Sequence, residues 1–248
     1  MASTPTPAPS AAKPQPSAVR PFYVAVGSAG AKLGTLLELL TALQLQAGRK
    51  LTTVICCSGR DSLDEVVCGL LEDASFTVAV LHADMTDKER EFQVSHFKRL
   101  VAAQADAADG AGGSGGGMAA STASAQGAAA GGAASSQSAA PADTSIAADE
   151  SSLVLAATDV CLKTLPRELL PLGASLLIQY DMPHKKEVLA RRMSSVFGGG
   201  RDRRGAAPIT IHFVVAGEAA QFRAVEKYTA PAMIAEMPVH VADVFTQR

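Results

Sequence analysis

No run of apolar residues in the 248-residue chain reaches the roughly 20 that cross a bilayer as a helix, so no membrane span is expected. Metal chemistry has as little to work with. The four cysteines, Cys56, Cys57, Cys68 and Cys161, form no Cys-x-x-Cys pair, which argues against a zinc site and a disulfide framework. Three of them lie in apolar segments, which suits a reducing compartment. The five histidines (82, 96, 184, 212 and 240) show no metal-ligand spacing, and no metal is expected. His212 alternates with Ile211 and Phe213 and reads as a strand-face residue. No Gly-x-Ser-x-Gly elbow follows a predicted strand. The formal net charge of −2 says nothing about partners. The first 20 residues hold no apolar secretory core, and their only basic residues are Lys13 and Arg20. The expectation from this is a cytoplasmic or nuclear protein.

Bulky apolar residues are also scarce in two long stretches. From Ala102 to Glu150 the chain is almost entirely Ala, Gly, Ser, Thr and Gln with a few Asp. Such a composition cannot offset the entropy of ordering, so 102–150 reads as a disordered insertion. The Pro/Ala/Ser/Thr-rich start reads as a tail over 1–20. The expected folded unit is one domain over 21–248, interrupted by that insertion. About 180 residues remain, enough for a good core.

What is present is a series of buried strands alternating with helices. Leu153-Val154-Leu155-Ala156-Ala157 runs into Thr158 and Asp159. A short continuous apolar run is the pattern of a strand buried on both faces of a parallel sheet. Ligands of open α/β sheets bind beyond the carboxyl ends of the strands, where Thr158 and Asp159 fall. Either residue also suits the cap of a following helix. Further strands are expected at 22–26, 51–57, 76–81, 175–180 and 209–215. Helices are expected at 33–45, 62–72, 86–101, 185–193 and 218–228, with Thr86 and Glu89 forming a capping box, and a Gly/Arg loop is expected over 194–207. Gly27 to Gly34 is Gly-rich and contains Lys32, but its spacing is not that of a phosphate-binding P-loop. It reads as a turn. The stretch from Lys185 to Arg204 carries Lys185, Lys186, Arg191, Arg192, Arg201, Arg203 and Arg204 against Glu187 and Asp202. A basic loop after three glycines can follow a phosphate backbone, and it can equally be a solvated loop.

Six segments then come in the order and spacing of one family. They are 22–26 (Phe-Tyr-Val-Ala-Val), 81–85 (Leu-His-Ala-Asp-Met), 88–91 (Lys-Glu-Arg-Glu), 157–160 (Ala-Thr-Asp-Val), 180–183 (Tyr-Asp-Met-Pro) and 236–243 (Glu-Met-Pro-Val-His-Val-Ala-Asp). Together they resemble the C-terminal RecA-like domain of DEAD-box RNA helicases. The likeness is strongest to translation initiation factor four-A and its exon-junction relative. It runs from about Phe22 to Phe245 and skips the insertion. The fold it implies is a single α/β RecA-like domain with a mostly parallel sheet.

The resemblance implies an RNA side and a nucleotide side. On the RNA side, Thr158 and Asp159 match the family's Thr-Asp, whose threonine holds an RNA phosphate. Arg90 matches the arginine of its Gln-x-x-Arg element, with Asp87 in the glutamine position. Arg60 lies in a loop that approaches RNA. Asp84 closes a His-Gly-Asp element whose glycine is Ala83 here. Arg201, Arg203 and Arg204 are the remaining RNA-binding candidates. The nucleotide side is degenerate. The family's Ala-Arg-Gly-Leu-Asp reads Leu162-Lys163-Thr164-Leu165-Pro166, with Lys163 for the arginine and Pro166 for the aspartate. Of its His-Arg-Ile-Gly-Arg-x-Gly-Arg only Arg192 survives, and the two arginines implied to stabilise a transferring phosphoryl group are Ser195 and Gly198. The sequence contains neither a P-loop nor an Asp-Glu-Ala-Asp box.

The expectation is a non-catalytic relative that binds RNA or ribonucleoprotein in translation initiation or RNA metabolism. No cofactor is expected, and ATP only if a first domain completes the site in trans. One alternative is a scaffold docking a translation-factor or ribonucleoprotein partner. The other is half an enzyme completed by a separate N-terminal domain.

Overall fold

The structure, a computed structural model, describes residues 19–46, 51–73, 75–110, 151–197, 207–230, 232–241 and 243–246, without the side chains of 106–110, 245 and 246. Seven strands form one sheet: β1 (Arg20–Val26), β2 (Thr52–Cys57), β3 (Phe76–Leu81), β4 (Ser152–Thr158), β5 (Leu176–Gln179), β6 (Ile209–Val215) and β7 (Ala235–Glu236). Their order is β3-β4-β2-β5-β6-β1-β7, and every pairing is parallel. Among the described residues seven α-helices accompany them: α1 (Lys32–Gln46), α2 (Arg60–Leu71), α3 (Asp87–Gly110), α4 (Asp159–Thr164), α5 (Lys186–Phe197), α6 (Ala219–Thr229) and α7 (Asp243–Thr246).

Both faces of the sheet are covered, which is why the inner strands read as unbroken apolar runs. Every residue of β2 and of β4 is buried. Alternate side chains divide between two cores. Ile55, Cys57, Val154 and Ile178 pack with Leu36, Leu40, Leu63, Val66 and Leu70 of α1 and α2. Val54, Cys56, Leu155 and Leu177 pack with Val94 and Phe97 of α3, Leu162 of α4 and Val196 and Phe197 of α5. Helix α6 joins that second side through Val225, beside Tyr23 and Leu189. Each fully buried large side chain of these cores contributes about 1.5–3 kcal/mol.

Most boundaries fall within two residues of the sequence reading, and three differences matter for the domain's extent. The fold begins ahead of residue 21, because Arg20 is already in β1. Its guanidinium lies over the Phe22 ring and donates to the Val244 carbonyl at 2.5 Å. Helix α3 runs on to Gly110, nine residues past Val101 and into the stretch assigned to the insertion. The run there is rich in alanine, the best helix former, so composition that cannot build a core still extends an existing helix. Gln104 also ties that extension to the Ser151 carbonyl. Helix α5 continues to Phe197, where Ser195, Val196 and Phe197 are buried instead of opening a loop at Ser194. Of the expected tail (1–20), insertion (102–150) and Gly/Arg loop (194–207), residues 1–18, 111–150 and 198–206 lie outside the described residues. Among the described residues no helix is long and apolar enough to cross a membrane.

Candidate nucleic-acid interface at the strand ends

Because all strands run the same way, their carboxyl ends share one edge. Register sets who meets there. Cys57 of β2 lies opposite Thr158 of β4, so Ser58 and Asp159 follow side by side. Gln179 of β5 lies opposite Cys56 on one side and His212 of β6 on the other.

Arg192 of α5 enters this edge from above and is wholly buried. Its Nε and Nη2 donate to Asp159 Oδ1 and Oδ2 at 2.6 and 2.7 Å. Nη1 donates to Gln179 Oε1 at 2.8 Å and to the Asp181 carbonyl at 2.6 Å, and Nη2 also reaches Ser58 Oγ at 3.3 Å. All five N–H donors of the guanidinium are therefore engaged. Burial works against its charge, but the hydrogen bonds and charge of Asp159 prevail and hold it above the ordinary arginine range. A second ion pair lies alongside. Lys32 Nζ, almost buried, donates to Asp181 Oδ1 at 2.6 Å and sits 4.1 Å from the Tyr180 ring centroid. The Ser58 N–H donates to Asp181 Oδ2 at 2.9 Å. Burial alone would raise the Asp181 carboxyl, yet the bonds from Lys32 and Ser58 bring it below the usual range.

Beneath this network the polar accounts do not close. Among the described residues, Gln179 Nε2, Thr210 Oγ1 and both ring nitrogens of His212 are buried with no hydrogen-bond partner. Burial, with the nearby Arg192 charge, lowers the His212 pKa to about 4. Burial likewise pushes the Cys56 thiol up to about 12, so it is no nucleophile at neutral pH.

The other cluster faces solvent. Arg60, at the start of α2, donates Nε to Asp64 Oδ1 and Oδ2 at 2.7 and 2.9 Å, and Nη1 to Asp84 Oδ2 at 2.8 Å. His82 Nδ1 lies 3.6 Å from the same Asp84 oxygen. Arg90 pairs with Asp87 and donates Nη1 to Thr164 Oγ1 of α4 at 3.0 Å. Asp87 thereby holds the Arg90 pKa above its ordinary value. The start of α3 is the expected capping box. Thr86 N–H donates to Glu89 Oε2 at 2.7 Å, and Glu89 N–H donates to Thr86 Oγ1 at 3.3 Å. Thr158 is buried and caps α4, its Oγ1 accepting from the Cys161 N–H at 3.4 Å.

Of the RNA-side residues expected from sequence, the structure joins Arg60 to Asp84 directly. It brings Arg90 to the helix that Thr158 caps. Asp159 is turned to Arg192, which unites one residue from each expected side. Of the nucleotide-side positions, Lys163 is exposed at the end of α4, Pro166 is exposed just after it, and Ser195 is buried with its carbonyl taking the Leu172 N–H at 2.8 Å. Gly198, Arg201, Arg203 and Arg204 lie outside the described residues. Sequence reasoning missed Asp181, Lys32, Ser58 and Gln179. Asp181 carries the same signal as Asp159, a carboxylate just past a buried apolar run, while Lys32 was passed over with the Gly-rich turn. Among the described residues no cluster of His, Cys, Asp or Glu could hold a metal ion.

No protein-family model matches the chain. The chain is 26% identical over 225 residues to the ATP-dependent RNA helicase eIF4A of Chaetomium globosum, covering 91% of this chain. It spans about 40% of the length of that relative. The C-terminal domain of the DEAD-box protein Dbp5 superposes with a TM-score of 0.59 at 16% identity, over 93% of this chain and 98% of that domain. The E. coli DEAD-box protein SrmB, in its structure bound to regulator of ribonuclease activity A, superposes with a TM-score of 0.56 at 15% identity, over 91% of this chain and 94% of that one. The chain thus has the fold of the C-terminal RecA-like domain of DEAD-box RNA helicases, and its sequence is similar to theirs over nearly its whole length.

Proposed function

We propose that this chain binds RNA backbone at the strand ends, in translation initiation or another part of RNA metabolism, and does so without turning over ATP. The observation that carries the reading is the fate of Arg192. It is the one arginine left of a motif whose two phosphoryl-stabilising arginines are replaced by Ser195 and Gly198. With five donors engaged and no exposure, it holds the domain together and cannot move to a ligand. Loss of one such arginine costs about 10³–10⁵ in phosphoryl-transfer rate. Ser195 offers no replacement charge. On the RNA side, Arg60 and Arg90 remain at the same edge, and the relatives' name as RNA helicases supports a nucleic-acid ligand. Contacts to phosphate and sugar carry no sequence information, so binding is expected to be indifferent to sequence. With part of a two-domain surface, affinity is expected near that of non-specific binding, on the order of 10⁻⁴–10⁻⁶ M.

The test is a salt series of single-stranded RNA binding, together with ATP turnover in the presence of RNA. Binding that weakens with salt, without turnover, is expected. Turnover at a rate ordinary for a complete helicase would overturn the reading. Turnover only when a separate first RecA-like domain is added would instead favour a site completed in trans.

One observation favours a second reading, docking of a translation-factor or ribonucleoprotein protein. Phe92 is 67% exposed and stacks on His96, with ring centroids 6.0 Å apart. It overhangs a cavity of about 190 Å³ beside Val78 and Ala79 of the edge strand β3. An open strand edge next to an apolar slot is a common seat for a partner segment. SrmB was captured with a protein partner, which supports the same reading. Failure to bind RNA at low salt would transfer the assignment to it.

A further inference from the structure

The arginines at the rim of the strand ends are not free cations. Arg60 holds two carboxylates, Asp64 and Asp84, and Arg90 holds Asp87. Three carboxylates thus face two guanidiniums, and the cluster presents no net positive charge to a polyanion. Exposure is uneven within the pairs. The Arg90 side chain is 14% exposed, whereas Asp87 is 94% exposed and Asp84 78%. The carboxylates are the outward members. A carboxylate and a phosphate seek the same planar fork of N–H donors on arginine. A phosphate approaching this edge therefore meets both an occupied fork and a like charge.

We propose that Asp84 and Asp87 are resident competitors for RNA phosphate, holding Arg60 and Arg90 in a low-affinity state until RNA displaces them. The inference rests on the RNA-binding reading above and specifies what limits its affinity. Displacement is feasible because the Arg60–Asp84 pair is exposed on both sides and therefore weak, and because the Asp87 carboxylate, 94% exposed, can turn to solvent when it leaves Arg90. Salt weakens the resident pairs as well as the phosphate contacts, so the wild-type salt dependence is shallower than the number of phosphate contacts implies. Asp87 is not needed to start α3, because the Thr86–Glu89 box caps that helix without it. Removing its charge leaves the helix closed and the guanidinium available.

The test is binding of a fluorescently labelled single-stranded oligouridylate to the full chain over a salt series. Wild type, Asp84→Asn, Asp87→Asn and the double variant are compared. Glu226→Gln, an exposed change on α6 away from the strand ends, controls for net charge. Each asparagine is expected to tighten binding several-fold at low salt, and the double variant more. Each freed phosphate contact should steepen the slope of log affinity against log salt by about 0.7. The gain from Asp87→Asn should vanish when Arg90→Ala is added, and the gain from Asp84→Asn when Arg60→Ala is added. Wild-type binding with no gain, or gains matched by Glu226→Gln, overturns this inference and leaves the RNA reading standing. Binding by the double variant but not by wild type supports both. No binding by any of these correctly melting variants overturns both.

Discussion

Two arginine–aspartate systems occupy one edge of the sheet and differ in little but water. Arg192–Asp159 is enclosed, with the arginine wholly buried and the carboxylate 16% exposed. Arg60–Asp64 has similar donor–acceptor distances but is about half exposed on both sides. In the enclosed pair every donor has a fixed acceptor, so loss of either partner strands a charge out of water. In the open pair solvent and salt take over when a partner leaves. Similar contacts are thus structural in one place and displaceable in the other. The domain's permanent architecture and its proposed ligand edge lie next to each other.

The sharpest way to break this contrast is to remove Arg192. Arg192→Met is expected to destabilise the domain by about 3–5 kcal/mol, read by urea unfolding, because Asp159 and Gln179 lose their partner. Adding Asp159→Leu should recover much of that loss. A cost below about 1 kcal/mol would place the buried pair in the same class as the exposed one.

Acid tests the same region next. His212 is buried neutral, its pKa lowered to about 4 from 6.5. Above pH 6.5 it is neutral folded or unfolded. As pH falls from about 6.5 to about 4 the unfolded chain takes the proton and the folded one resists, so stability falls, by about 3 kcal/mol in all. Below that range the loss from His212 levels off. Asp181, with its pKa lowered, adds a further loss only at more acid pH, as its carboxyl becomes protonated. Thermal midpoints across pH 4–7 read the first window, and His212→Leu should flatten it. An unchanged profile would show that His212 is satisfied and titrates normally.

On the open side the effects are on binding. Arg90→Ala should weaken single-stranded RNA alike for all sequences and flatten the salt slope by about 0.7, with little change in melting. Curves identical to wild type would remove Arg90 from the interface. The smallest change is expected for Asp64→Ala, within about 0.5–1 kcal/mol of stability, since Arg60 keeps Asp84 and is exposed. A larger loss would show that the open cluster is structural after all.

Much of the framework was legible in the chain. Buried parallel strands show as short apolar runs, and those at Phe76–Leu81 and Ile209–Val215 have the expected limits. The Thr86–Glu89 box was readable because both partners lie within one helical turn. Helix ends were less so. Alanine-rich sequence after Val101 suits a helix or a coil equally, and the existing helix decided between them. Ser195 to Phe197 looked like the start of a glycine loop until packing of Val196 and Phe197 on the sheet held them in α5.

What the sequence determined by itself is therefore local. It includes where strands stop, which helices are capped, and which polar residues fall at the carboxyl edge, among them Thr158 and Asp159. What only the tertiary structure decided is which of those residues face each other. Arg192 and Asp159 lie 33 positions apart, and Lys32 and Asp181 lie 149 apart. No periodicity records such a pairing. It follows from the sheet register, which sets β2, β4 and β5 side by side and brings their ends within reach of one guanidinium. The degenerate motif shows that its arginines at positions 195 and 198 are missing; only the fold shows that the remaining arginine is enclosed.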